Sequence, residues 1–290
     1  MTTTDHRVAL VTDSTCDIPR DIARSHDIII VPQMLIWGTE ELRDHIDISP
    51  KEFYERLTRD PVHPSSSQTD IRTFRQLFEE LRDAGIQEIL LILLSDQFSG
   101  TISSARQASE LVQGVTVHIV NSMTASMGLG FQVLAAARAR AAGGTVADMI
   151  AAAEAVRERI HLLLSVETLE YLHRGGRIGG AAKLIGTALQ LKPMLEVNAR
   201  LGRVEPVERT RTRRRAIQRL YEVFCEQVDP ARPARIAVMH GNALEDAEAL
   251  AERVRNDYNL IELIVTSTSP VIGVHTGPGA LGLCGYNEPD

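Results

Sequence analysis

Aromatic residues, cysteines and long apolar runs are all scarce in this sequence of 290 residues. Phe, Trp and Tyr make up 4% of the chain, so its core has to be built mainly from Leu, Ile, Val and Ala. No apolar run approaches the roughly 20 residues that a membrane-spanning helix needs. The start "MTTTDHRVALVTD" is typical of a strand and lacks the apolar stretch of a signal peptide, so we expect a cytoplasmic protein.

Motifs for metals and nucleotides are also missing. Cys16, Cys225 and Cys284 are too few and too far apart for a disulfide framework or a CxxC pair. The sequence contains no P-loop, dinucleotide fingerprint, GxSxG or HExxH motif. We therefore predict a protein without a cofactor or metal. The net charge of −7 argues against wholesale binding of nucleic acid but leaves room for a local basic patch.

The first half of the chain alternates strands with helices. "RVALVTDST", "IQEILLILL" and "GVTVHIVNS" indicate buried strands, and "IRTFRQLFEELRDAG" is an amphipathic helix between two of them. This spacing predicts right-handed crossovers and a parallel sheet. From "HLLLSVETLEYLHRGGRIGG" onward, glycines, a basic run and two further strands indicate a second region. We predict an α/β fold with a Rossmann-like N-terminal domain over residues 1–160 and a C-terminal α+β domain over 161–290.

Two hydroxyl-rich turns precede predicted helices. "SSSQTD" contains Ser66 and Ser67, and "SDQFSGT" contains Ser99 and Gly100. A helix start combines unpaired amides with the positive end of the helix dipole, and both favour an anion. Two such turns at one edge of a sheet could hold one carboxylate or phosphate. A serine at such a place can also act only as the N-cap of its helix.

Two glycine-rich segments add candidate residues for a pocket. In "VIGVHTGPGALGL" we expect His275 between a strand and a glycine turn, and Arg177 lies among the glycines of "HRGGRIGG". No complete catalytic set accompanies them. Asp13 could act with His275 in a hydrolase or phosphoryl-transfer enzyme. The simpler interpretation is that Asp13 caps its own turn through Ser14 or Thr15.

A basic run, "RTRTRRR", precedes an apolar stripe that predicts a helix from about Thr212. Its arginines crowd a helix start, where the dipole disfavours positive charge, so stability alone does not explain them. Three interpretations stay open: a solvated helix face, a docking surface for an acidic partner, and a nucleic-acid-binding module. The acidic net charge counts against the last.

Taken in order, seven segments resemble the DegV family and together span about residues 7–285: "VTDSTCDIP", "SSSQTD", "LSDQFSGTISSA", "LEYLHRGGRIGG", "LKPML", "RTRTRRRAIQ" and "HTGPGALGL". The resemblance implies a bacterial, non-catalytic protein that holds one long-chain fatty acid, such as hexadecanoate, in a tunnel between two domains. Some members serve as the acyl-carrying subunit of a fatty acid kinase, whose catalytic partner phosphorylates the carboxylate to an acyl phosphate. A transient contact with a membrane surface is also compatible with this role.

The resemblance assigns roles residue by residue. The residues that correspond to the family's carboxylate site are Ser66, Ser99, Gly100 and His275, with Ser67 and Arg177 as further candidates. The residues that correspond to the basic run of kinase-binding members are Arg211, Arg213, Arg214 and Arg215.

Some positions depart from the family pattern. Asp96 adds a carboxylate beside the head-group turn, which would weaken anion binding unless it points to solvent. Asn121–Ser122–Met123 replaces a common Asp-Ser-Lys, so a charge pair is expected to be missing. We expect the width of the tunnel to depend on the packing of Met127, Phe131, Leu189 and Met194.

Overall fold

A computed structural model describes residues 8–185 and 191–289, so Leu189 lies outside the described residues. The strands are β1 (Val8–Asp13), β2 (Ile28–Val31), β3 (Met34–Trp37), β4 (Glu40–Arg43), β5 (Ser65–Ser67), β6 (Glu88–Leu93), β7 (Thr116–Asn121), β8 (His161–Ser165), β9 (Lys192–Asn198), β10 (Arg203–Thr210), β11 (Ala234–His240), β12 (Leu260–Ser267) and β13 (Leu281–Asn287). The α-helices are α1 (Arg20–Ser25), α2 (Pro50–Leu57), α3 (Ile71–Asp83), α4 (Thr101–Glu110), α5 (Met127–Ala141), α6 (Val146–Arg157), α7 (Glu170–Arg174), α8 (Arg213–Gln227), α9 (Leu244–Asp257) and α10 (Pro270–Thr276).

A parallel sheet forms the first layer, with strand order β2-β1-β6-β7. Its two central strands, β1 and β6, are almost wholly buried, which explains their nearly continuous apolar sequence. The alternation of strands and helices in the first half of the sequence therefore predicted this sheet correctly.

A mixed sheet follows later in the chain, with strand order β10-β9-β8-β13-β11-β12. Only β11 and β12 pair in parallel; the other neighbours are antiparallel. The α/β fold class and its second, mixed region are thus confirmed. The parallel sheet ends at Asn121 and the mixed sheet begins at His161, while the domain boundary near residue 160 stays a prediction.

Helix α5 connects the two large sheets. It contacts β1 and β6 on one side and β8 and β13 on the other, and it is buried from Met127 to Ala137. A helix enclosed in this way has apolar residues all round rather than one apolar stripe. Gly130 lets α5 approach the 3₁₀ turn Ser14–Cys16, because a Cβ atom there would lie 2.6 Å from the carbonyl oxygen of Cys16.

A small antiparallel sheet, β4-β3-β5, holds the first hydroxyl cluster. Ser65–Ser67 is the short strand β5 rather than a turn, and Ser66 pairs with Leu35 of β3. This sheet lies against α10, which contacts both β3 and β5.

Helix α10 replaces the strand expected before "TGPG". Ser269 caps this helix by accepting the amide of Ile272, and Pro270 occupies its first turn. Both are helix-start signals, and they outweigh the strand-like look of Val271, Ile272 and Val274. His275 therefore lies in the last turn of a helix.

The cysteines and the helix lengths agree with what the sequence predicts for them. All three cysteines are free thiols, two of them buried. No helix in residues 8–185 or 191–289 has the length and hydropathy that crossing a membrane requires.

Candidate ligand-binding site

A cavity of about 250 Å³ lies where the carboxyl ends of β1 and β6 meet the mixed sheet. Thr15 and Leu94, which follow those two strands, line one side, and apolar side chains of β8 to β11 line the other. Five of the candidate residues line this same cavity: Ser66, Ser67, Ser99, Arg177 and His275. They come from segments far apart in the chain, so the fold has brought the separate motifs to one place.

Ser66 and His275 form the centre of the polar end. The Oγ of Ser66 lies 2.8 Å from Nε2 of His275, which is hydrogen-bonding distance. The other ring nitrogen, Nδ1, is buried and has no hydrogen-bond partner among the described residues. Burial, and next the positive charge of Arg177, lower the pKa of His275 to about 4. The ring is therefore neutral at pH 7, with one nitrogen donating and one accepting.

Ser99 borders the cavity at the start of α4. Its Oγ lies 2.8 Å from the hydroxyl of Thr101 and accepts the backbone amide of the same residue at 3.3 Å. The N-cap position belongs to Gly100, which has no side chain to fill that role. Ser99 thus supports the helix start and also presents its hydroxyl to the cavity, so the two interpretations of this serine are compatible.

Arg177 joins the glycine loop to the Ser99 turn. Its Nε donates to the carbonyl oxygen of Phe98 at 2.9 Å, and its Nη1 donates to that of Gly175 at 2.7 Å. The guanidinium still has N–H groups beyond these bonds and lies at the cavity, where it can attract an anion.

Two glycines leave space for polar side chains of the site. A Cβ atom on Gly100 would overlap the amide of Gln68, and one on Gly175 would overlap the ring of His275 at Nδ1. Gly100 does not itself line the cavity; it gives its space to Gln68, which does. Glycine at these positions is required by close approach, since neither has a positive φ.

Gln33 and Gln68 were not predicted from the sequence. Gln33 donates to the hydroxyl of Thr101 at 2.9 Å and accepts the amide of Thr69 at 3.1 Å, so it ties the strand-β5 segment to the start of α4. Gln68 donates to the hydroxyl of Ser104 at 3.0 Å. For Gln68 the motif "SSSQTD" offered a signal, whereas Gln33 stands in an ordinary extended stretch.

The apolar wall of the cavity includes a glycine of the mixed sheet. Gly282 lies between Leu164 and Met239 on the mixed sheet, and a Cβ atom there would be 2.8 Å from Met239 Cε. The missing side chain makes room for the end of Met239, and both residues line the cavity.

The tunnel-width expectation fails for the three nominated residues that are described. Met127 and Phe131 pack in the core around α5, and Met194 packs in a separate core with Leu163 and Leu220. None of the three lines the cavity. The spacing of apolar residues in the sequence did not reveal which face of each helix or strand would border the cavity.

Asp13 stabilises the turn after β1 and does not line the cavity. Its carboxylate accepts the amide and hydroxyl of Thr15, at 3.0 and 2.5 Å, and the amide of Leu94 at 2.9 Å. Burial raises its pKa, and these bonds lower it in part. Both oxygens are engaged while His275 bonds Ser66, so the enzyme hypothesis with an Asp13–His275 pair finds no support. The described residues also contain no cluster of three or more His, Cys, Asp or Glu side chains suited to a metal.

The departures from the family pattern have local explanations. Asp96 is exposed and does not line the cavity, so its carboxylate points to solvent. Asn121 accepts the amide of Met123 at 3.0 Å and so closes its own turn without a charged partner.

The basic run divides into two parts. Arg213 is half-buried and bonded within the molecule, to Asp246 at 2.7 Å, to Glu167 at 2.6 Å and to the carbonyl oxygen of Gly279. Its predicted docking role is therefore revised to that of an anchor for α8. The other three arginines nominated for docking, Arg211, Arg214 and Arg215, are exposed. Thr212 caps α8, as the sequence predicted.

Comparison with known proteins shows the family. A family-wide sequence profile described as "Uncharacterised protein, DegV family" matches residues 7–288. The chain belongs to the DegV family. It is 38% identical to a DegV domain-containing protein of Streptomyces coelicolor, over 95% of this chain and 97% of that one.

Two solved DegV structures extend the likeness to the fold. DegV from Bacillus subtilis, described as a fatty acid binding protein, superposes with a TM-score of 0.89 at 33% identity, over 97% of this chain and 99% of that one. A DegV family protein from Thermus thermophilus, described by its fatty acid binding, gives 0.90 at 31% identity, over 97% and 100%.

The low pKa of His275 makes a testable prediction for protein freed of bound small molecules. Its imidazole should titrate near pH 4 by NMR, against about 6.5 for an unperturbed histidine. The unfolded chain then binds a proton between pH 6.5 and 4 that the folded chain excludes, so this group lowers the free energy of unfolding as the pH falls through that window. In Arg177→Gln the titration should move upward, because a nearby positive charge is gone. A midpoint near 6.5 in the unsubstituted protein would contradict the buried placement of the ring.

Proposed function

We propose that this DegV family protein binds one long-chain fatty acid with its tail in the apolar part of the cavity. The carboxylate lies among Ser66, Ser99, Arg177 and His275. The observation that carries the proposal is the convergence of these four polar side chains, from segments far apart in the chain, at one end of an apolar cavity. Two hydroxyls, an imidazole and a guanidinium can together donate several hydrogen bonds to one carboxylate, and a carboxylate taken from water needs such bonds.

The two parts of such a ligand contribute differently. Burying the tail of a C16 acid contributes about 11 kcal/mol before the costs of binding, at about 0.8 kcal/mol per CH₂. A hydrogen bond to a charged head group contributes about 1.5–3 kcal/mol. The tail therefore supplies most of the affinity, while the polar cluster fixes the orientation and excludes ligands without an anionic end. This carrier role needs no cofactor and no catalytic residue.

Mass spectrometry of the purified, denatured protein tests the proposal directly. We expect release of a C14–C18 fatty acid, near one equivalent per chain. Delipidated protein should take up oleate or palmitate with the same stoichiometry. Protein that carries no fatty acid and takes up neither acid would overturn the proposed function.

Ser99→Ala should weaken fatty-acid binding by about 10-fold or more, since a lost hydrogen bond to a charged group costs about 1.5–3 kcal/mol. The free energy of unfolding should fall by no more than about 1 kcal/mol, because Ser99 is not the N-cap residue of α4 but does accept the amide of Thr101 at the helix start. Ser103→Ala, on the exposed side of the same helix, is the matched control and should leave affinity unchanged. A lower melting temperature with unchanged affinity would show that Ser99 only supports the helix start.

We also propose that the bound acid is presented, in the cytoplasm, to the catalytic subunit of a fatty acid kinase. Arg213 supports this placement, because it bonds the carbonyl oxygen of Gly279, four residues beyond His275. The exposed Arg211 and Arg214 stand on either side of that anchor in the sequence, and we assign them to the same surface. A basic surface beside the head-group end suits an acidic partner or the phosphates of its nucleotide.

Charge reversal at Arg211 or Arg214 should slow acyl-phosphate formation by a cognate kinase supplied with ATP. The loss should come mainly from slower association and should shrink at high salt, because exposed charges act over a Debye length. Fatty-acid content should stay as in the parent. Arg72→Glu, an exposed position on α3, is the matched control. Parental kinase turnover in both variants would show that these arginines are only a solvated helix start.

A further inference from the structure

Asp17 is a buried carboxylate that the cavity does not use directly. It is 3% exposed, and its backbone has φ 52° and ψ 18°, the left-handed conformation. It follows the 3₁₀ turn Ser14–Cys16 and does not line the cavity. Its carboxylate and its carbonyl oxygen accept three hydrogen bonds from residues more than 100 positions away in sequence, which a turn residue does not need for its own stability.

These three bonds hold the elements that build the site. Oδ1 accepts the backbone amide of Ser269, the N-cap of α10, at 2.8 Å. Oδ2 accepts the hydroxyl of Ser126, the residue at the N-cap of α5. Ser126 itself lines the cavity. The carbonyl oxygen of Asp17 accepts the hydroxyl of Thr266, near the end of β12, at 3.0 Å. One residue thus joins the starts of two helices and the end of a strand.

The bond to Ser269 bears on His275. Helix α10 has only seven residues, from Pro270 to Thr276, so a shift at its start moves His275 at its end. A second buried carboxyl, Asp44, lies by the same helix start; burial raises its pKa well above the usual range, and the hydroxyl of Ser14 and the amide of Val271 lower it only in part. Asp44 accepts the hydroxyl of Ser14 at 2.6 Å and is 1% exposed. Oδ1 of Asp44 has no hydrogen-bond partner among the described residues, so the bond that holds the start of α10 is the one from Ser269 to Asp17.

A carboxylate is a costly side chain for this position. Burial raises the pKa of Asp17 to about 7, although the bonds from Ser126 and Ser269 lower it in part. Its hydrogen-bond partners are an amide and a hydroxyl rather than a cation, and a buried charge without an opposite charge destabilises a fold. A costly side chain that joins three elements of the site suggests a role in the geometry of that site.

We propose that Asp17 is a positioning residue for the anionic head group: by holding Ser269 and Ser126, it sets where His275 meets the ligand carboxylate. This inference rests on the proposed function, since it assumes that a fatty acid occupies the cavity. It predicts that Asp17 governs the preference for an acid over the matching alcohol, while the apolar cavity, which binds the tail of both ligands, stays as it is.

The test compares oleic acid with oleyl alcohol by displacement of a fluorescent fatty-acid analogue. Asp17→Gly removes the carboxylate and suits the left-handed backbone, and Asp17→Asn keeps an oxygen for Ser269 and tolerates the same conformation. In Asp17→Gly we expect the preference for the acid to fall about 10-fold, with the affinity for the alcohol within about threefold of the parent. Asp17→Asn should keep the preference within about threefold.

Thr145→Ala serves as the matched control for a purely structural loss. It removes a helix cap from α6, which has no residue at the cavity, so stability should fall without any change in the preference for the acid. The inference would be overturned if Asp17→Gly lowered the affinities for oleic acid and oleyl alcohol equally, or changed neither affinity. A parent protein that binds neither ligand would instead overturn the proposed function.

A second pair of variants covers the case in which Asp17→Gly does not fold. Ser269→Ala and Ser269→Pro both lose the hydroxyl cap of α10, but only the proline lacks the amide that Asp17 accepts. The φ of −57° at Ser269 suits proline. The inference requires a loss of acid preference in Ser269→Pro beyond that in Ser269→Ala, and equal preferences would contradict it.

Discussion

The candidate site depends on one hydrogen bond between residues 209 positions apart, which joins Ser66 Oγ and His275 Nε2. It forms only if β5 pairs with β3, because that pairing sets the direction of Ser66. It also requires α10 to end where the glycine loop leaves space for an imidazole, since a side chain at Gly175 would overlap the ring. Burial of that ring then keeps it neutral, so it can offer an anion a hydrogen bond but no positive charge.

The sequence predicts the frame of this molecule better than its contacts. Continuous apolar runs such as Ile89 to Leu93 are strongly typical of buried parallel strands, and they lie where the pattern placed them. The two hydroxyl clusters and His275 could be nominated because small polar residues stand where elements begin or end. Gln33 and Asp17 could not, because what distinguishes them is a set of partners far away in the chain. No local pattern records such partners.

Arg213 shows how a sound local rule can give an incomplete answer. An arginine at a helix start is unfavourable when the helix is considered alone. Glu167 and Asp246 reverse the balance, because two carboxylates from other elements surround the guanidinium and compensate for its position. Arg213, the first arginine of α8, therefore joins that helix to the glycine turn after α10, where it bonds Gly279. Arg211 and Arg214 stay in solvent.

Glycines in this chain serve two purposes that a sequence does not distinguish. Gly176 and Gly277 have positive φ values of 68° and 71°, so they are required by the backbone. Gly100, Gly175 and Gly282 have no such conformation and are required by their neighbours, namely Gln68, His275 and Met239. The first kind shapes the loops, whereas the second kind makes room inside the molecule. Both the polar end and the apolar wall of the cavity depend on the second kind, so the cavity owes its form to side chains that are absent as much as to those that line it.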